Sequence, residues 1–140
     1  MSLPAHLTLE IVTPDRSILR EQVDEVEVPG ADGYFGVLPG HTPLLASLQV
    51  GELWYRKGGE KSYVSIAFGF AEVLPDRVTI LARIAERAED IDVERAEAQR
   101  QQAEAQLRKH VTSADFERVR VSLMKAMVRL QVATRQRTRG

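Results

Sequence analysis

Val28-Pro-Gly-Ala-Asp-Gly-Tyr-Phe-Gly-Val-Leu-Pro-Gly-His-Thr-Pro-Leu-Leu-Ala-Ser-Leu48 sets four glycines and three prolines among apolar residues. No helix survives such a run. Glycine opens backbone angles that other residues avoid, and proline fixes its own angle and removes a donor. The stretch reads as very short extended pieces joined by tight turns, with Phe35, Val37, Leu38, Leu44, Leu45 and Leu48 expected to point inward. Turns punctuated this densely are held in one shape, and held loops are where contact surfaces form.

The same texture continues to about residue 85, before which lie all 6 prolines and all but one of the 9 glycines. Residues 6–13 alternate Leu7, Leu9 and Ile11 with Thr8 and Glu10. Val23, Val26 and Val28 line a second strand, and residues 53–56, 62–66, 68–74 and 78–82 complete the set. Pro14-Asp15, Gly58-Gly59 and Pro75-Asp76 are turn signals between them. Strands at roughly 8–12-residue spacing with such turns predict an antiparallel β-sandwich or barrel. No crossover helix is present in the pattern, so no parallel pairing is expected.

Past residue 90 the pattern becomes helical. A first helix is expected over about 92–110, rich in Ala, Glu, Gln and Arg, with Asp90 and Asp92 both suited to cap it. A break at 111–113 precedes Thr112-Ser-Ala-Asp115, a capping box that opens a second helix. Phe116, Val119, Leu123, Ala126, Leu130 and Ala133 recur three and four apart and form one apolar stripe; Val121, Met124, Val128 and Val132 form another. The first helix offers only Val93, Ala96, Ala103 and Leu107 on its inner face, with Arg100 in the same row. Two arrangements fit: a hairpin weakly docked that exchanges with an extended, partner-bound position, or both stripes buried against the sandwich. The expected organisation is therefore mixed: an antiparallel β-sandwich over 1–87 followed by an antiparallel two-helix hairpin over 88–140.

Composition narrows the function. With 44% hydrophobic and 28% charged residues the chain is ordinary globular protein. The absence of cysteine excludes disulfides, Cys-ligated zinc and thiol chemistry. The N-terminus has neither a basic start nor an apolar run, so no signal peptide is expected, and no window approaches the roughly 20 apolar residues of a membrane span. His6, His41 and His110 are scattered, no phosphate loop or nucleophile elbow occurs, and no catalytic or metal site is read. His41 fits a turn-orienting role better than a ligand role. Charge is uneven: residues 1–89 hold 8 Lys+Arg against 13 Asp+Glu, a net −5, whereas residues 112–140 hold 7 against 2, a net +5. The pattern fits two surfaces for two partners, and equally a solvated helix face with an Arg-rich end. Aromatics are only 6% and none follows Phe116, so a nucleic-acid reading lacks a stacking platform.

The segment from Gly36 to Leu45 resembles the Gly-Leu-Leu-Pro-Gly-His-type segment of the epsilon subunit of bacterial F-type ATP synthases (delta in mitochondria). The likeness extends along the chain, through Gly51-Glu-Leu, then Phe68-Gly-Phe-Ala-Glu-Val, where relatives have Gly-Gly-Phe-x-Glu-Val, to Asp90-Ile-Asp-Val-Glu-Arg-Ala96. The resemblance implies a non-catalytic rotor subunit in the central stalk. It would couple proton translocation to ATP synthesis and lie peripherally on the cytoplasmic face of the bacterial plasma membrane. Partners would be the gamma subunit, the c-ring, and the alpha and beta subunits of the catalytic head, with no nucleic acid and no direct membrane insertion. Gly30, Ala31, Asp32, Gly33 and Tyr34 fall where relatives touch the c-ring and gamma, with His41 beside that edge. Tyr34 stands where some relatives have a carboxylate. The hairpin would inhibit ATP hydrolysis by extending into the head, and Arg118, Arg120, Lys125 and Arg129 suit the acidic segment that the beta subunit offers there. No cofactor is required, but regulatory ATP is implied by Ile91-Asp-Val-Glu-Arg-Ala96, which matches the Ile/Leu-Asp-x-x-Arg-Ala of ATP-binding relatives. Ile91, Asp92, Arg95 and Ala96 would join Glu86, Lys125 and Arg129 there, Lys125 replacing an arginine and losing its bidentate fork. Two alternatives stay open: Asp92 as a helix cap with Arg95 as a surface residue, and a free-standing ATP-sensing module.

Overall fold

The computed structural model describes residues 3–109 and 112–139, with side chains to residue 135. His110, Val111 and the side chains of Arg137 and Arg139 lie outside the described residues. Seven strands precede the helices: β1 (Leu7–Val12), β2 (Ser17–Val23), β3 (Glu25–Gly30), β4 (Gly33–Val37), β5 (Leu44–Lys57), β6 (Glu60–Leu74) and β7 (Arg77–Arg87). They hydrogen-bond in the order β2-β1-β7-β6-β5-β3-β4. The core they enclose is almost wholly aliphatic, led by Leu7, Leu9, Ile11, Leu53, Ile66 and Ile80.

A crease makes one long sheet into a sandwich. Ladder pairing runs on either side of Gln49, Phe68 and Arg83 but skips that row in both β5–β6 and β6–β7. The buried set changes parity there: Leu53 and Tyr55 give way to Leu48, Val64 and Ile66 to Ala71 and Val73, and Ala85 to Ala82, Ile80 and Val78. Left-handed backbone at Phe68 (φ 64°) and Gly69 (φ 127°) supplies the bend. A Cβ on Gly69 would collide with the Leu81 carbonyl oxygen and sit 2.8 Å from Ala82 Cα. The alternation read from sequence therefore breaks at this point, which is why one bent strand, β6, reads as two.

Three further expectations are corrected. The valines at 23, 26 and 28 do not share a strand, because Asp24 separates β2 from β3; β2 was missed because Ser17-Ile-Leu-Arg-Glu-Gln-Val23 carries little apolar alternation. One pairing is parallel: β1 lies beside β7, Leu9 opposite Val78 and Ile11 opposite Ile80. The chain reaches it through the intervening sheet rather than through a crossover helix. Finally, Val37 and Leu48 are buried, but Leu38, Leu44 and Leu45 face outward, Leu45 being 72% exposed. They sit around the turn closed by His41 N–H donating to Leu38 O (3.1 Å), which Gly40 N–H pins to Pro75 O (2.7 Å).

A short 3-10 turn (Ala88–Asp90) leads into α1 (Val93–Leu107) and α2 (Ser113–Arg139), which pack together. Asp92 is the cap of α1: its Oδ1 accepts from Arg95 N–H at 3.0 Å. Thr112 caps α2, its Oγ1 accepting from Asp115 N–H at 3.1 Å. The buried helix positions are small: Ala96 and Ala103 on α1, Val119, Ala126, Val132 and Ala133 on α2. Of the second apolar row, only its C-terminal part reaches the sandwich side: Val128 and Val132 join Ala88, Ile91, Tyr63, Val93 and Ala133 in a corner cluster.

Candidate functional site

Strand β7 ends in Arg87, and the alternation that buries Ala85 turns Glu86 outward, under the hairpin. The helical period of α2 brings Arg129 over it. Arg129 Nε donates to Glu86 Oε1 at 2.6 Å and one terminal nitrogen to Oε2 at 3.2 Å, a bidentate ion pair. The other terminal nitrogen donates to Gln99 Oε1 of α1 at 2.7 Å. One guanidinium thus ties sandwich, α1 and α2 together. Beside it opens a cleft of about 470 Å³ between hairpin and sheet. Its floor includes Val50, Ala67 and Ile84; its walls carry Gln99, Arg118, Ser122 and Lys125 as well as the Arg129–Glu86 pair. Cations and amides above an apolar floor suit a ligand with anionic groups at one end and a flat apolar body at the other.

A second contact lies nearer the end of α2. Arg135 reaches Glu52 Oε2 at 3.3 Å, with its guanidinium 5.5 Å from the centroid of the Tyr63 ring. Glu52 also receives Tyr34: its backbone N–H donates to the Tyr34 hydroxyl at 3.1 Å. Gly51 has no side chain because the Tyr34 hydroxyl fills that space and Pro29 Cβ would lie 2.7 Å away. The turn after β3 is held by Gln49 Nε2 donating to Gly30 O and Ala31 N–H donating to Ser47 O, both at 2.7 Å. His41 Nδ1–H donates to Thr42 O at 2.6 Å, the turn-orienting role expected.

Residues 6–88 match the family described as "ATP synthase, Delta/Epsilon chain, beta-sandwich domain", and residues 89–134 its "long alpha-helix domain". The chain belongs to the ATP synthase delta/epsilon chain family. It is 50% identical over 131 residues to ATP synthase epsilon chain 2 of Syntrophotalea carbinolica, covering 92% of this chain and 94% of that one. It is 45% identical over 134 residues to the ATP synthase epsilon chain of Solibacter usitatus, covering 96% and 100%. A chain in the Euglena gracilis mitochondrial ATP synthase (OSCP/F1/c-ring in rotational state 1) superposes with a TM-score of 0.71 at 25% identity, over 99% of this chain and 84% of that one. One in the central stalk/c-ring of the Tetrahymena thermophila mitochondrial enzyme shares the fold at 11% identity, with a TM-score of 0.65 over 91% and 96%. As an epsilon-type chain this is a non-catalytic central-stalk subunit of F-type ATP synthase.

Within that family frame, the residues singled out from sequence divide. Glu86, Lys125, Arg129 and Arg118 converge on the cleft. Ile91 is buried in the corner cluster, Ala96 is fully buried on α1, and Asp92 and Arg95 are exposed outside the cleft lining. Asp92 acts as a cap, and Arg95 supplies the backbone N–H it holds. Arg118 and Arg120 pair on their own helix with Asp115 and Glu117, at 3.3 and 3.0 Å; Arg120 holds the Glu117 carboxyl below the usual carboxylate range. Arg100 does the same to Glu97. Glu52, Gln99 and Ser122 were not singled out. Their only signal was an acid in Gly51-Glu-Leu53 opposite a basic tail, and nothing in spacing joins positions 83 apart.

Proposed function

We propose that this epsilon-type chain couples proton translocation to ATP synthesis as a rotor element and restrains ATP hydrolysis through its helices. Residues 1–87 would serve as the stalk and c-ring contact unit and 88–140 as the regulatory arm, the whole held peripherally at the cytoplasmic face of the bacterial plasma membrane. The observation that carries this reading is the division between the sandwich and a basic last helix, residues 112–140 carrying a net +5, joined to it by the Arg129–Glu86 and Arg135–Glu52 pairs and a small apolar corner. Outward Leu38, Leu44 and Leu45, together with the Gly30–Tyr34 turn and His41, would supply contact for gamma and the c-ring, and Phe70 and Leu81, facing each other across β6 and β7, would extend it. Arg118, Arg120, Lys125 and Arg129 suit an acidic segment of the head. Replacing these four by Ala in the assembled complex should raise ATP hydrolysis severalfold; unchanged hydrolysis removes the inhibitory role. Deleting 88–140 should do the same while ATP synthesis persists.

The cleft favours a second, compatible reading: ATP as a regulatory ligand that stabilises the folded hairpin. Phosphates would meet Lys125 and Arg118, and the base the Val50–Ile84 floor, with Arg129 held by Glu86 and Gln99 alongside. Calorimetry with ATP and the full chain tests it: heat that Lys125→Ala abolishes supports the site, and none at millimolar ATP removes it. Co-purification with gamma separates the stalk subunit from a free-standing ATP sensor.

A further inference from the structure

Three cations of α2 reach the sandwich, and each finds a built partner there. Lys125 Nζ lies 5.7 Å from the centroid of the Phe68 ring, which the left-handed backbone of the crease turns outward. Arg129 grips both oxygens of Glu86, and Arg135 reaches Glu52. These carboxylates are the shielded ones, with side chains 26% and 11% exposed. Apolar contact at the same interface includes a corner cluster around Ala88, Ile91, Val132 and Ala133. The Arg129 guanidinium has its fork committed to Glu86 and its remaining arm to Gln99, so it cannot serve a second carboxylate while the hairpin is folded.

We propose that Glu52 and Glu86 are an internal acidic mimic: they hold Arg135 and Arg129 of α2 against an acidic groove on a partner, and this competition sets how often the arm leaves the sandwich. The proposal rests on the reading that the arm binds an acidic surface of the head. The physical reason is the cost of leaving. If α2 departs without a substitute, two shielded carboxylates lose their counter-charges and three cations lose their partners. An acidic groove replaces the loss on the arm, and dissolved salt weakens the hold on both sides.

Hydrogen exchange on the full chain tests it. In Glu52→Gln/Glu86→Gln, amides of α2 between 119 and 133 should exchange about tenfold faster while those of β6 and β7 keep their rates. Asp15→Asn, on an exposed loop away from the arm, should match the parent chain. Raising salt from about 0.05 to about 0.5 M should speed α2 exchange in the parent but not in the double variant. Glu86→Arg/Arg129→Glu, which restores the pair reversed, should exchange more slowly than Glu86→Arg alone. Parent-like α2 exchange in the double variant, or equal salt dependence in both, overturns the mimic. Hydrolysis by the assembled complex separates the two readings: faster arm exchange without stronger inhibition leaves the mimic standing and removes the inhibitory role.

Discussion

The sandwich and the hairpin are built from different side chains, and they are held by different forces. The sandwich fully buries Leu7, Leu9, Ile11, Leu53, Ile66 and Ile80; the hairpin buries Ala96, Ala103, Val119, Ala126, Val132 and Ala133. A large aliphatic side chain taken from water contributes roughly 1.5–3 kcal/mol, and an alanine methyl well under half of that. The sandwich is stable through area. The hairpin is helical through propensity, capped ends and pairs such as Arg100 with Glu97 and Glu104, and it is docked through two ion pairs and a small apolar corner.

The contrast can be broken most severely at the crease. Gly69→Val puts a branched side chain against the Leu81 carbonyl in a left-handed backbone; a loss of more than about 4 kcal/mol, or no folded protein, is expected by urea unfolding. Ile66→Ala, in the fully buried core, should cost about 2–5 kcal/mol of sandwich stability with the same midpoint for strand and helix signals. Asp92→Ala sharpens the comparison from the other side. Loss of the cap should remove about 1 kcal/mol of helix stability, read as lower helical circular dichroism with the sandwich transition unmoved. Phe68→Gly releases backbone strain of about 1–3 kcal/mol. The sandwich should then remain at least as stable as the parent by thermal unfolding, while α2 loses the ring beneath Lys125 and exchanges faster.

The smallest effect is expected at the β2–β3 corner. Gly58 N–H donates to Asp24 Oδ2 at 2.7 Å, and His6 and Arg56 flank the carboxylate; together they hold its pKa below the ordinary value. A depressed folded pKa means stability that is present above the unfolded value, near about 3.9, and lost as pH falls through the folded one. Asp24→Asn should lower the melting temperature slightly at neutral pH and flatten its decline below about pH 4.

Most of this contrast was legible in the sequence. Glycine and proline up to residue 85 and their absence through both helices marked the change of architecture, and Thr112-Ser-Ala-Asp115 announced a real cap. Asp92 showed why motif and cap are hard to separate, since one carboxylate satisfies a helix end by the same chemistry that would bind a ligand. Illegible were the features that depend on bending. The crease reverses the buried face within single strands, so alternation misassigned β6. Leu38, Leu44 and Leu45 read as core because apolar residues beside turns look alike whether they face a core or a partner. The Arg129–Glu86 and Arg135–Glu52 pairs join distant positions and leave no periodicity to detect.

The parallel seating of β1 beside β7 has a consequence during synthesis. Leu9 and Val78 are partners 69 positions apart, so the first strand of the sheet must wait for the last before it gains a neighbour on that side. Until then β1 has only β2, and one apolar edge of the nascent chain stays open. The helices emerge just after that closing strand, so they are translated onto a platform whose final seam is only then being zipped.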